Sequence, residues 1–461
     1  MNQTHLRFQS DSAAKAFDLH HREMMVQNIS RYEEDVATGK QQFANLELAR
    51  RRAGVLKHSV IEHLEDHLKT FEQNFSNNGG HVIWSETAAD ARKSIIEILE
   101  RHQAKTVVKS KSMISEEIGL YTALEKNGIE CVETGMGEFI ARLTNDEPYH
   151  MVHPLLHRSA KEVANTFHEK FGLSEKASPA DMTVFIRNTI RKHLTQADAG
   201  ITGANFLIAD TGSVAISENE GNGILCMSMP RVHIVVTGIE QIIASVFDLE
   251  LFWPLLATFG TGQTSSAYNS LVNGPRKENE RDGPDHMYVV LIDNGRTRLL
   301  QAVPQRRTLA CIQCGACQSA CPVYRNIGGH AYGTTYTGPI GAVITPFLSG
   351  RFEEYKHLSF ASTLCGKCTE VCPVGIDLHH QLIMNRRLSV KSGYTERAER
   401  WAMWAYMVAM KKRSRLDRLS PKRKNYLFKR FLAKGWGDRR DQPMVVKSFA
   451  RQYVRSGSFK G

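Results

Sequence analysis

The sequence predicts an α/β body joined to a small cysteine-built unit and closed by a basic helical tail. Three observations predict it. Short β-branched runs alternate with amphipathic helical stretches from about residue 80; seven of nine cysteines fall between 311 and 372; and residues 381–461 hold 22 Lys and Arg against 5 Asp and Glu. The chain of 461 residues is long enough for two or three domains. Its 23% charged and 42% hydrophobic content is ordinary for a globular protein.

Residues 1–75 are rich in Ala, Glu, Gln, Leu and Arg, with Val55, Leu56, Val60, Ile61, Leu64 and Leu68 at helical spacing. They predict an N-terminal helical extension packed against the next domain. Residues 76–300 form the α/β domain. Strands are expected at 81–84, 105–110 and 129–133, with helices at 88–101 and 116–127 between them. Such βαβαβ alternation implies a parallel sheet covered by helices. A helix over 182–194, strands at 204–209, 214–217, 232–237 and 287–292, and a helix near 239–249 complete it, with mixed strands toward the C-terminal half. Residues 301–380 are mostly loop and short helix around the cysteines, and residues 381–461 are basic and helical.

The first cysteine run is Cys311, Cys314, Cys317 and Cys321, followed by Pro322. This is the C-x2-C-x2-C-x3-C-P pattern of bacterial ferredoxins, in which three thiolates hold one [4Fe–4S] cluster and the fourth crosses to a second. Gly315 and Gly366 ease close approach of the backbone, and the proline ends the local helical turn. A zinc site wants paired knuckles without the extra cysteines. Disulfides fit poorly in a chain whose start shows neither an apolar leader nor a twin-arginine pair. The chain is expected to carry electrons in a reducing cytoplasm.

The second run is Cys365, Cys368 and Cys372 with Pro373. Three residues before Cys365 stands Ser362, not a cysteine. By the crossing rule, cluster one takes Cys311, Cys314, Cys317 and Cys372. Cluster two takes Cys321, Cys365 and Cys368, which leaves one iron without a thiolate. Serine ligation, an exchangeable fourth iron, or a [3Fe–4S] cluster would answer the gap; the plainer reading is that Ser362 caps the helix carrying Cys365. Cys131 and Cys226 lie in strand-like apolar contexts and read as buried free thiols. The glycine- and aromatic-rich segment 328–341 suits covering a cluster and excluding water.

With residues 200–216, Met229-Pro-Arg231, both cysteine runs and residues 338–343, nearly the whole chain resembles the lactate utilization protein B (LutB/YkgF) family. The resemblance implies a lactate-utilization α/β domain similar to the NagB/RpiA/CoA-transferase fold, a two-cluster ferredoxin-type domain and a short C-terminal domain. It also implies a role in oxidising L-lactate to pyruvate with two other lactate-utilization subunits, and a second run of three cysteines. The chain is then an electron-transfer component rather than a complete enzyme. The alternatives are the iron–sulfur subunit of another 2-hydroxy-acid dehydrogenase, of glycolate type, and a non-redox ligand-binding or regulatory protein.

Other motifs are weaker. Residues 260–265 lack the third glycine of a dinucleotide fingerprint, and no Walker loop or Cys-Cys-Gly appears. Asp210-Thr-Gly-Ser213 occurs once, so it reads as a turn rather than half of an aspartic-protease dyad. Lys109 and Lys111 read as a solvated loop, with an anion-binding crevice as the sharper alternative. His379 and His380 read as surface residues. No window is long and apolar enough for a membrane span. The tail lacks a nucleic-acid reader motif; it is expected to dock an acidic partner. Trp401, Trp404 and Tyr406 beside residues 411–413 give the second reading, a peripheral anchor at the inner membrane face.

Overall fold

The alternating pattern does build a parallel sheet, and the helices before it reach much further than the sheet. A computed structural model describes residues 3–146, 149–412, 415, 419–427, 429 and 430. Four helices lead: α1 (Gln3–Phe17), α2 (Leu19–Gly39), α3 (Leu46–Glu62) and α4 (Leu64–Asn77). Along α3 and α4, Val60, Ile61, Leu64, Leu68, Phe71 and Phe75 form the buried stripe, whereas Val55 is exposed. Strand β1 (His81–Ser85), helix α5 (Ala88–Arg101), strand β2 (Thr106–Lys109), helices α6 (Met113–Glu117) and α7 (Leu120–Lys126), and strand β3 (Glu130–Glu133) come next. A reciprocal Thr87–Asp90 capping box fixes the start of α5.

Helices α8 (Met136–Leu143), α9 (Ala160–Phe171) and α10 (Pro179–Gln196) lead to β4 (Ala199–Thr202), β5 (Phe206–Ile208) and β6 (Ser213–Glu218). Then come α11 (Asn222–Ser228), β7 (Val232–Gly238), β8 (Ile242–Ile243), α12 (Leu249–Thr261), β9 (Tyr268–Val272) and β10 (His286–Ile292). Six strands pair in parallel in the order β1-β10-β7-β4-β2-β3. All of β7 is buried, as a central parallel strand covered on both faces must be. The mixed strands foreseen for the C-terminal half form a separate sheet, β8-β5-β6-β9, in which β8 runs parallel to β5 and the other pairs are antiparallel.

Two sequence expectations fail here. No helix spans 239–249: the β-branched pair Ile242 and Ile243 joins β5, and the helix begins at Leu249 after a Ser245–Asp248 capping box. Cys226 lies on helix α11, not on a strand, because Glu218 accepts the N–H groups of Gly223 and Ile224 and nucleates a turn there. Both Cys131 and Cys226 are buried free thiols, as expected.

The cysteine-bearing region is wound from α13 (Arg296–Gln301), α14 (Ala316–Ala320), α15 (Pro322–Ile327), α16 (Gly338–Leu348), α17 (Phe352–Tyr355), α18 (Lys367–Glu370) and α19 (Leu378–Lys391). It belongs to the same compact unit as everything before it, Met1–Ser389. From Val390 a second unit begins, holding α20 (Arg397–Met410) and α21 (Pro421–Leu427). Much of the basic tail, residues 431–461 and Arg413 included, lies outside the described residues.

One buried charge group ties the sheet to the cysteine region. Arg296, 1% exposed, grips Glu117 with two bonds of 2.9 and 2.8 Å and donates Nε to Glu240. The Tyr336 hydroxyl, from the segment between the cysteine runs, donates to Glu117 at 2.7 Å. Removing the cation would strand two carboxylates away from water. Arg296→Met should therefore destabilise the protein by about 3–5 kcal/mol, read as a lowered urea midpoint; a change within error would mean that water reaches the group.

Candidate metal centre

Cys311, Cys314, Cys317 and Cys372 line one small cavity with Ile312, Ile340 and Val374. They are close enough that ionisation of each thiol opposes that of its neighbours. Burial is the larger influence and pushes the Cys311 thiol up to about 12. Backbone N–H groups work the other way: Gln313 N donates to Cys311 Sγ at 3.4 Å and Ile376 N to Cys372 Sγ at 3.3 Å. Cys321, Cys365 and Cys368 form a second group, coupled in the same manner. Cys365 is exposed, whereas Cys321 and Cys368 are buried.

The two runs share one backbone. Gln313 and Leu364, the residues just before Cys314 and Cys365, both take the left-handed conformation, with φ of 58° and 54°. Gly315 and Gly366 come after the cysteines at 74° and 84° and start α14 and α18 as their N-caps. On this overlay Ser362 occupies the place of Cys311. Its Oγ accepts Leu364 N at 3.1 Å, as Cys311 Sγ accepts Gln313 N. The cap of α18 is Gly366, so Ser362 does not cap that helix. The prolines differ in role: Pro322 opens α15 at its first position rather than only ending a turn.

This donor set fits iron–sulfur clusters. Its thiols split four and three across two sites, in apolar surroundings, with N–H groups turned to sulfur. Among the described residues no three His, Cys, Asp or Glu close around a single-ion centre; thiols spread around a cluster stand further apart than the ligands of one ion. Tyr332, from the glycine-rich segment, is buried within electrostatic reach of both Cys317 and Cys321.

Sequence reasoning missed the outer residues. Arg50 of α3 donates to Cys372 O at 2.9 Å and to Glu370 O at 2.6 Å, pinning the second turn. Lys57, fully buried on the same helix, donates to Glu240 O and Ile242 O at 2.8 and 3.1 Å. Burial lowers its pKa to about 8, against the pull of Glu240 and Cys311. His150 lies against Gly315; Nδ1 accepts from Val152 N and His153 N, and Nε2 lies 3.2 Å from Ser319 Oγ. Burial keeps this ring neutral. Only the helical stripe of residues 55–68 hinted that the N-terminal helices pack inward, and it does not say on what.

Lys109 contradicts the solvated-loop reading. It is fully buried, with Glu133 at 3.0 Å and Glu116 at 3.4 Å. Burial would discharge it, but the two carboxylates outweigh burial and hold it charged. Lys111 is partly exposed, 3.4 Å from Glu138. Asp210 to Ser213 is the turn between β5 and β6, and Asp210 caps Val246 N. His379 and His380 sit at the surface beside Asp377. Residues 260–265 straddle the C-terminal end of α12, the wrong end of a helix for a dinucleotide loop. Trp401, Trp404 and Tyr406 are exposed on α20, and no described helix is long and apolar enough to cross a membrane.

The LUD domain family matches residues 68–292, and a 4Fe-4S dicluster domain matches residues 307–376. Lactate utilization protein B of Bacillus velezensis is 41% identical over 79% of this chain and 77% of its own length. That of Shouchella clausii is 36% identical over 95% of both chains. An electron transport protein of Escherichia coli, YkgF, is 41% identical over 77% of this chain and 75% of its own.

The shared turn yields a graded prediction. A methyl group at Gly315 would come within 2.6 Å of the His150 ring, whereas one at Gly366 meets nothing within 4 Å. Gly366→Ala should cost only the left-handed strain, about 1–2 kcal/mol. Gly315→Ala should cost more and lower the iron-to-protein ratio further. Equal losses in iron content and melting temperature would show that His150 yields.

Proposed function

We propose a function from one premise, that this chain belongs to the lactate utilization protein B family: it is the iron–sulfur electron-transfer subunit of a multi-component system that oxidises L-lactate to pyruvate. The observation that carries this reading is the pair of thiol sets held by one repeated turn, one buried except for half-buried Cys311 and one with an exposed member. Cys311, Cys314, Cys317 and Cys372 hold the first [4Fe–4S] cluster; Cys321, Cys365 and Cys368 hold the second. When bound, the clusters supply one-electron transfer. The chain's own part is to exclude water with Tyr332 and the apolar walls, and to direct N–H groups at sulfur.

The α/β body belongs with the NagB/RpiA/CoA-transferase-like folds, a reading supported by the family resemblance and consistent with the all-parallel order of its main sheet. Two other lactate-utilization subunits deliver and remove electrons. The chain works in the cytoplasm, and its basic C-terminal region docks an acidic partner surface. The second reading of that region, favoured by exposed Trp401, Trp404 and Tyr406, is a peripheral contact with the inner membrane face in place of the partner. Purified alone, the chain should show no lactate-dependent dye reduction, and adding the partner subunits should restore it. Robust activity from this chain alone at high purity would refute the assignment.

The second cluster has Ser362 where the first has Cys311. A serine oxygen suits iron less well than thiolate sulfur, so its fourth iron is exchangeable and the site drifts to [3Fe–4S] in air. Ser362→Cys should abolish the three-iron EPR signal that the native protein develops on air exposure. An undiminished signal in the variant would mean that residue 362 does not face the cluster.

A further inference from the structure

The carboxyl edge of the six-stranded sheet encloses a cavity of about 410 Å³, and one wall of it is Gln313, in the turn between Cys311 and Cys314. The cavity lies where the strand order reverses. From β2 the chain leads outward to β3, from β4 it leads the other way to β7, and the loops after β2 and β4 both line the space. In open α/β sheets this crevice is the usual ligand site, and the volume is that of a small-molecule pocket.

Two charges meet inside it. Lys111, from the loop after β2, stands 3.4 Å from Glu138, on α8. Glu138 is 7% exposed, and its Oε1 accepts no hydrogen bond among the described residues. Lys111 Nζ gives one hydrogen bond, to Val152 O at 2.9 Å, and an ammonium group has three to give. Asn205 accepts from Ser217 N at 2.7 Å, which leaves its NH2 group available. Two further carboxylates at the cavity are already engaged: Glu218 by Gly223 N and Ile224 N, and Glu220 by Met136 N. The lining thus offers one cation with donors left over and, facing it, the buried Glu138 Oε1, whose contact with Lys111 Nζ at 3.4 Å is an ion pair rather than a hydrogen bond.

We infer that this cavity binds a short 2-hydroxy carboxylate, with the carboxylate on the Lys111 ammonium and the 2-hydroxyl donating to Glu138 Oε1. A carboxylate and a hydroxyl on neighbouring carbons are spaced to meet two partners at that separation. The choice of acid rests on the reading above, which names L-lactate; the pairing of Lys111 with Glu138 does not. Because Gln313 is shared, occupancy of the cavity is felt at the first cysteine turn.

The test is anaerobic calorimetry on the cluster-loaded full chain, with L-lactate and with propionate, which has the carboxylate but no 2-hydroxyl. L-Lactate should bind at millimolar concentration and propionate more weakly. Lys111→Met should weaken both about tenfold or more, as loss of a charge-assisted hydrogen bond does. Glu138→Gln should narrow the gap between the two acids. Lactate should also shift the EPR spectrum of the reduced native chain and leave that of Lys111→Met unchanged. Lys111→Gln replaces the Met variant if the latter loses its cluster absorbance. No lactate binding by the native chain, or undiminished binding by the Lys111 variants, overturns the inference. A chain that binds no lactate yet restores dye reduction with its partners would overturn the cavity and leave the electron-transfer role standing. One that binds lactate but carries no electrons would do the reverse.

Discussion

On the proposed iron–sulfur reading seven thiols must shed their protons, most of them inside the protein, and that demand sets the terms for the rest of this structure. Burial opposes that ionisation and raises Cys311 to about 12. The chain answers first with main-chain N–H groups and then with nearby cations, Lys57 by Cys311 and Arg50 by Cys372. Left-handed residues before Cys314 and Cys365, and left-handed glycines after them, shape a turn that aims a main-chain N–H at Cys311 Sγ in the first run and at Ser362 Oγ in the second. The same turn is used twice. One copy is backed by His150 and the sheet domain, and the other opens to solvent at Cys365.

That demand explains why so much of the chain is engaged. The N-terminal helices are a brace: Arg50 fastens the second turn, and Lys57 is held by backbone oxygens at the edge of the smaller sheet. Arg296 and Glu117 join the sheet to Tyr336 of the aromatic segment, whose Tyr332 lies within electrostatic reach of Cys317 and Cys321. The α/β body and the cysteine region therefore share one unit, and its sheet edge holds a cavity walled by the first cysteine turn. In such an arrangement a ligand in the cavity and the first cysteine turn are neighbours, with Gln313 in the turn itself and Met151 lining both the cavity and the space around the thiols.

How much of the fold and the site was legible in the sequence depends on how local each residue's role is. The cysteine spacing is local, so the division of thiols into sets of four and three can be read directly, as can Ser362 as the odd member. Short β-branched runs announce the parallel strands. The helix expected near 239–249 is absent because Ile242 and Ile243 fit a helical stripe as well as a strand, and only their pairing with β5 decides. Lys109 departs from its local reading for a related reason: its burial depends on Glu116 and Glu133, brought to it by the fold. Arg50, Lys57 and His150 act on turns hundreds of residues away or across domains, and nothing in their own neighbourhoods marks them.

On the proposed reading, one repeated turn builds two cluster sites of different completeness in one compact unit. Low-temperature EPR of the anaerobic, fully reduced chain tests this most directly, with spins counted against iron. Two paramagnetic centres per chain, broadened by each other's proximity, are the predicted result. A single centre, or iron bound without any reducible spin, would contradict it.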